Sequence, residues 1–483
     1  MTRISDILTR QLDRTISADP RLDLQGAASS VVADELLVLL ECDRPGAAST
    51  RSRLIGIDEV IIARGSRRSI ERENGRLRVT LPDGRISSAH ARLRRDGTAY
   101  IIEDLRSKNG LIVNDGRVDS RILRDGDLVE CGQTVLLYRA GRARPIGDPL
   151  DVDCDDRSAA DVGLFTFHEP LAQQLRSLKE IARAQIPILI LGPTGTGKEL
   201  VARAAHALSR RGGTFVAVNC SALPDGLVDA ELFGVRRGAF TGASEDRPGL
   251  VRSSHEGTLF LDEVGELTQS AQAKLLRVLQ EQEVLSVGAT KPVSVDLRLI
   301  TATHRNLDEL VREKRFREDL VARISAFIVQ LPTLRERIED FGIIVAALLV
   351  RHVARGEALP TITPEAMRLL LRYPWPQNIR ELEHCLRRAI ALSPRQIAVE
   401  HLPEALRQEG EPPTVPLGPS AARRRPQPPH QETRWLELHR TLHELLLEYR
   451  GNISEVARRL GKDRTQVRRW MRMLALSAEE YTK

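Results

Sequence analysis

The residues best placed to do chemistry are Gly192-Pro193-Thr194-Gly195-Thr196-Gly197-Lys198-Glu199. They follow the compact apolar run Ile186 to Leu191 and precede a helix-like stretch opening Leu200-Val201-Ala202. Strand, glycine-rich loop, Gly-Lys and helix form a nucleotide P-loop in its required context. The glycines let backbone N–H groups converge on phosphates, the helix N-terminus adds its dipole, and Lys198 can reach the β/γ oxygens. Glu199 stands where a hydroxyl would ordinarily meet Mg²⁺, so metal binding has to rest on another carboxylate. About 65 residues on, Gly257-Thr258-Leu259-Phe260-Leu261-Asp262-Glu263 is an apolar strand ending in two acids. Such a pair can be a solvated strand end. After a P-loop, Asp262 suits Mg²⁺ and Glu263 suits polarising an attacking water. The cofactors expected are ATP and Mg²⁺.

Between loop and acids lies Gly238-Ala239-Phe240-Thr241-Gly242-Ala243, with Arg236 and Arg237 ahead of it. Its glycines open backbone angles closed to other residues. Phe240 then either tucks back onto the core or is held out in water to meet a partner.

These motifs need domains to position them, and 483 residues suffice for about three. No stretch approaches the ~18 apolar residues of a membrane span, and the N-terminus lacks the apolar core of a signal peptide. Five scattered cysteines without metal-ligand spacing read as buried thiols of a cytosolic, cytoplasmic protein. The net charge is +6, and Arg450 to Arg472 holds eight Lys or Arg against two acids. One C-terminal segment therefore accounts for the whole excess and points to nucleic acid.

Residues 1–33 form a polar lead without assigned function. From 34 to 140, short β-like runs (Leu36 to Glu41, Leu54 to Ala63, Leu77 to Leu81, Ala91 to Arg94, Tyr100 to Glu103, Val135 to Tyr138) alternate with Asx-Gly turns, predicting an all-β sandwich. Within it, Ile86-Ser87-Ser88-Ala89-His90, Asp104-Leu105-Arg106-Ser107-Lys108-Asn109-Gly110 and Leu123-Arg124-Asp125-Gly126-Asp127 resemble a forkhead-associated (FHA) domain. That family binds phosphothreonine peptides through loops at one end of the sandwich. The resemblance implies that Arg64, Ser87 and Asn109 hold the phosphate or peptide backbone and that His90 braces the loop. Guanidinium and hydroxyl donors suit a phosphate dianion. Ala63 and Ser88 depart from the family pattern, and a scaffold that has lost phosphopeptide binding is the other reading. Residues 141–163 read as a linker.

Glu231-Leu232-Phe233-Gly234, the Gly238–Ala243 loop, Phe316-Arg317-Glu318-Asp319-Leu320, Leu331-Pro332-Thr333-Leu334-Arg335-Glu336-Arg337 and Trp375-Pro376-Gln377-Asn378-Ile379-Arg380-Glu381-Leu382 follow in this order. With the P-loop they make residues 164–405 resemble the α/β AAA+ P-loop ATPase, with helical lid, of bacterial enhancer-binding proteins, the activators of sigma-54 RNA polymerase. The resemblance implies that Phe240 and Thr241 touch the sigma factor and that Asn219 restrains Glu263. It also implies that Thr303 senses the γ-phosphate, that Arg317 and Arg323 serve a neighbour's ATP, and that Arg380 senses nucleotide in its own subunit. A ring, a hexamer, follows from arginines acting in trans; surface ion pairing is their plainer use. His304 stands where the family usually has Asn, and Ser286-Val287-Gly288-Ala289 where a glycine pair is common.

Residues 406–432 form a Pro-rich linker. Beyond it, in 433–475, Ile453, Val456, Ala457 and Leu460 repeat at helical spacing, Gly461 ends the helix, and Val467, Trp470, Met471 and Leu474 stripe another. The pair reads as an all-α helix-turn-helix. Arg464, Thr465, Gln466, Arg468, Arg469 and Arg472 lie off the apolar stripe, free to meet bases and phosphates of double-stranded DNA. The segment resembles the Fis-type DNA-binding domain that closes many members of this family. The sequence thus predicts sensor, motor and address in one chain: a sigma-54-dependent activator regulated through an FHA domain. The alternative is a DNA-tethered phosphopeptide-binding repressor or scaffold whose nucleotide pocket controls assembly only.

Overall fold

The computed structural model describes residues 30–47, 49–153, 164–224, 226–239, 245–354 and 356–408, with positions 449, 452, 455, 456 and 459 near the C-terminus. The helix-turn-helix reading and its basic residues lie outside the described residues, as do Phe240, Thr241, Gly242 and Ala243. Among the described residues, no helix is long and apolar enough to cross a membrane.

The N-terminal part is a sandwich of two sheets. Its strands are β1 (Ser30–Glu41), β2 (Thr50–Arg53), β3 (Glu59–Arg64), β4 (Ser69–Glu73), β5 (Arg76–Leu81), β6 (Ala91–Asp96), β7 (Ala99–Asp104), β8 (Leu111–Val113), β9 (Gly116–Val118), β10 (Ser120–Ile122), β11 (Leu128–Cys131), β12 (Thr134–Pro145) and β13 (Asp151–Asp153). One sheet runs β13-β2-β1-β12-β11-β8-β9 and the other β10-β7-β6-β3-β5-β4. Leu36, Val38, Val60, Ile62, Leu77, Val79, Leu93, Ile102, Leu136 and Tyr138 fill the space between them. The alternation of inward and outward residues is the period-2 pattern expected of strands.

Two expectations change here. The run Leu54 to Ala63 is not one strand, because a turn closes at Ile57 N to Leu54 O and Gly56 takes φ +64°, so β3 starts only at Glu59. The supposed linker from 141 is partly sheet: β12 continues to Pro145, and β13 pairs antiparallel with β2, Asp151 opposite Ser52. Those pairings join residues about 100 positions apart, which local composition does not register.

The second part is a parallel α/β layer. Strands β14 (Ile188–Leu191), β15 (Phe215–Asn219), β16 (Thr258–Asp262), β17 (Arg298–Thr303) and β18 (Phe327–Gln330) lie in the order β15-β16-β17-β14-β18. All four pairings are parallel and the strands are apolar, as in a sheet covered on both faces. Helices α1 (Glu169–Ile181), α2 (Lys198–Ser209) and α3 (Gln269–Glu281) cover it. Thr268 caps α3 by accepting from Ala271 N. The helical lid follows as α4 (Phe341–His352), α5 (Pro364–Arg372) and α6 (Asn378–Leu392). Thr363 caps α5 ahead of Pro364, the residue best suited to a first helical turn.

Candidate nucleotide and phosphate sites

Strand β14 ends at Leu191, the glycine-rich loop turns, and α2 starts at Lys198 behind Gly197, whose φ is +101°. Ligands of open α/β sheets sit outside the C-terminal strand ends, and the expected groups converge there. Lys198 is buried, its Nζ donating to Gly192 O at 3.1 Å and lying 3.6 Å from Glu263 Oε1. Glu263 follows the end of β16 in the left-handed region, φ +54°, an uncommon conformation for a side chain of this kind. Asp262 beside it accepts from Glu263 N at 3.1 Å. Burial, then the neighbouring Glu263 charge, push the Asp262 carboxyl up. In Glu263 burial acts the same way, but Lys198 and the hydrogen bonds from His304 outweigh it and hold the pKa low. Two carboxylates against one lysine leave an acidic site, and Asp262 is the group fitted to a divalent cation. Glu199 is exposed and paired with Arg203 at 2.6 Å along α2, so it does not join them.

The residues about Glu263 differ from expectation. Its Oε2 takes His304 Nδ1 at 2.8 Å, His304 N at 3.3 Å and Thr303 Oγ1 at 3.4 Å, all from the end of β17. Asn219, expected to restrain it, instead accepts from Ser221 N at 3.0 Å and Ser221 Oγ at 2.7 Å, capping a short 3₁₀ turn. Parallel pairing places Asn219 opposite Asp262, one position short of Glu263. The substitution of His for Asn at 304 was the visible signal.

The lid closes over the loop through backbone contacts. Ile379 N donates to Gly195 O at 3.0 Å, Asn378 Nδ2 to Thr194 O at 2.9 Å, and Arg337 Nη2 to Thr196 O at 2.7 Å. Gly195 has φ +78°, and a Cβ there would stand 2.0 Å from Gln377 O. Arg337 and Asn378 were not singled out by sequence motif chemistry; both are buried. Arg380 is exposed at the start of α6, near Gly195. Arg317 pairs with Asp319 at 2.7 Å on the surface, and Arg323 is exposed at the end of its helix. Among the described residues, neither arginine pairs with a group of its own chain's nucleotide site.

The stem of the Gly238–Ala243 loop is built. Val235 bridges both Arg247 and Val287, and Arg237 N donates to Asp246 Oδ1 at 2.7 Å. A Cβ at Gly288 would meet Ala239 at 2.7 Å, so the companion loop packs directly on this stem.

In the sandwich, Arg64 and Asn109 are exposed and Ser87 half-buried at one end. Arg64 N donates to Ser87 O, Lys108 N to Ser87 Oγ at 3.0 Å, and Asn109 Nδ2 to Arg85 O at 2.6 Å. The fully buried His90 accepts from Ser87 N on Nδ1, which places its proton on Nε2, 3.1 Å from Gly110 O. His90 thereby ties the two loops that carry Ser87 and Asn109.

A five-stranded parallel sheet with a P-loop, an acidic pair at a strand end and a helical lid on the loop is an AAA+ ATPase module. More particularly, residues 164–330 match the sigma-54 interaction domain, 335–416 the AAA+ ATPase lid domain, and 68–132 the FHA domain. The chain therefore carries an FHA domain, a sigma-54 interaction domain and its lid, and its homologues are transcriptional regulators. The hydrogenase transcriptional regulatory protein HoxA of Cupriavidus necator is 42% identical over 315 residues, covering 64% of each chain. The transcriptional regulatory protein XylR of Pseudomonas putida is 47% identical over 240 residues, 49% of this chain and 42% of XylR. The matched stretch spans less than two thirds of either relative. Among solved structures, NtrX from Brucella abortus in complex with ATP is 32% identical, covering 65% of this chain and 69% of that one, with a TM-score of 0.46.

Proposed function

We propose that this protein is a sigma-54-dependent transcription activator that hydrolyses ATP in an oligomeric ring to remodel the closed promoter complex. The observation that carries the reading is the meeting of Lys198, Asp262, Glu263, Thr303 and His304 at the C-terminal ends of β14, β16 and β17, beneath the P-loop. The nucleotide would be held by the backbone of Gly192 to Glu199 and by Lys198, with Mg²⁺ on Asp262. The cation supplies charge neutralisation at the phosphates. Lys198 balances the β/γ oxygens, and Glu263 takes a proton from the attacking water. Thr303, on β17, reports the γ-phosphate. Arg317 and Arg323, exposed and away from their own site, are available to a neighbouring subunit, which supports a hexameric ring.

The built stem beneath Phe240 and Thr241 supports a loop displaced against sigma-54. Arg64, Ser87 and Asn109 form the end that takes a phosphothreonine peptide, and Arg464, Thr465, Gln466, Arg468, Arg469 and Arg472 give the DNA contact. The domain bounds proposed are 34–140, 164–405 and 433–475, with β13 extending the first. Open-complex formation by sigma-54 holoenzyme, ATP and the full chain tests the reading. Thr241→Ala abolishes it while DNA binding and ATP hydrolysis persist. Full activity of that variant overturns the loop assignment, and a wild-type chain without ATPase activity overturns the motor.

A further inference from the structure

The outer face of a sandwich sheet ordinarily meets water and is polar. Here the β1–β12 sheet is apolar on both faces. Leu36 and Val38 point into the sandwich, whereas Leu37, Leu39, Val135 and Leu137 point out, and all four are buried. What covers them is the ATPase lid: Phe341, Val345, Leu348 and Leu349 of α4 and Met367 and Leu370 of α5 belong to the same apolar core. The backbones also meet. Ile362 N donates to Cys42 O at 2.7 Å, and a Cβ on Gly342 would stand 1.8 Å from Leu39 O. At the rim, Arg368 holds both carboxylate oxygens of Glu130 at 2.8 and 2.9 Å, and Arg372 pairs with Asp115. Arg144 of β12 donates to Phe167 O and to Glu169 Oε2, both at 2.7 Å, gripping the entry to α1.

The other side of the same lid touches the P-loop. Asp340, at the head of α4, accepts from Phe167 N and Thr166 Oγ1, while Arg337 just before it donates to Thr196 O. Asn378 and Ile379 of α6 hold Thr194 and Gly195. One packed body therefore reaches from the FHA sheet to the nucleotide loop.

We propose that the outer face of the FHA sheet is a built docking surface for the ATPase lid, so that FHA domain and lid move together and the FHA domain sets nucleotide affinity. The lid holds the carbonyl oxygens of the loop whose N–H groups would receive the phosphates, so lid position sets the geometry of the phosphate cradle, and any lid displacement on nucleotide binding carries the FHA domain with it. Close-packed apolar interfaces shift between discrete arrangements rather than deform. By linkage, whatever loosens the FHA–lid contact alters nucleotide binding, and nucleotide alters the contact by the same factor. The inference rests on nucleotide binding at the P-loop and is independent of the sigma-54 contact.

The test is titration of the full chain with mant-ADP, alongside hydrogen exchange of β1 and α4. The variants are Glu130→Arg, Arg368→Glu, the double exchange, and Gly342→Val as a wedge that needs no charge. Each single change and the wedge speed exchange in β1 and α4 and change the mant-ADP Kd by about fivefold or more, the lower end of ordinary couplings. The double exchange restores both. Faster exchange with an unchanged Kd overturns the coupling, and unchanged exchange in all variants overturns the docking surface. Absence of mant-ADP binding by the wild type overturns the nucleotide reading itself, a result distinguishable from either.

Discussion

Replacing Leu39 by alanine asks whether the FHA sheet is finished by the lid. Leu39 is 0% exposed and lies in one apolar core with Phe341, Val345 and Leu349, residues some 300 positions away in sequence. Truncating a buried leucine typically costs about 2–5 kcal/mol, lost transfer energy plus the cavity left behind. On a free-standing sandwich the same outward position would be solvent-facing, where substitutions stay within about 0.5 kcal/mol. Trp375, 3% exposed in the same core, is a reporter on the lid side. With Trp435 and Trp470 replaced by phenylalanine, its fluorescence follows unfolding of the lid alone. At roughly 2–4 °C per kcal/mol for a body of 150–250 residues, Leu39→Ala lowers the Trp375 transition by about 4–20 °C. An unmoved Trp375 transition, whatever happens to the sandwich, refutes the shared core.

Two further outcomes follow from the site. His304→Ala leaves Glu263 with Lys198 as its nearest charged partner, so the carboxylate tips onto the lysine. ATPase kcat falls about tenfold or more, a part of the roughly 10²–10⁴-fold that a positioned base contributes in full, and KM stays near wild type. His304→Asn retains most activity because it keeps a donor, while Asn219→Ala costs about 1 kcal/mol of cap stability with little change in kcat; the reverse ranking overturns the hydrogen-bond assignment. Asp340 is fully buried and its carboxyl is raised from 3.8 to about 6, chiefly by burial. The folded state then binds the proton more tightly than the unfolded chain, so stability from this group is present below about pH 4 and lost as pH rises through 6. Asp340→Asn, which can keep the bonds to Thr166 and Phe167, removes that loss. Melting temperatures of variant and wild type diverge in the variant's favour between pH 4.5 and 7; a constant difference refutes the titration.

Sequence alone determined what depends on neighbours in the chain. The P-loop between an apolar strand and a helix, the acids closing Gly257 to Glu263, and the Asx-Gly turns of the sandwich are local devices, because backbone angles, strand period and helix start are set within a few residues. The run Leu36 to Glu41 reads as one strand of the sandwich, and its unbroken apolar stretch Leu36-Leu37-Val38-Leu39-Leu40 is what burial on both faces requires. It could not say that α4 is the second cover, since that packing joins segments separated by 300 residues. The tertiary structure alone decided that Asp151–Asp153 adds a strand to β2 and that Arg337 and Asn378 reach the P-loop. It likewise gave Glu263 to His304, and Asn219 to Ser221. A motif places a side chain at the end of a strand; which partner it finds there depends on where the neighbouring strand stops, and that is a property of the folded sheet.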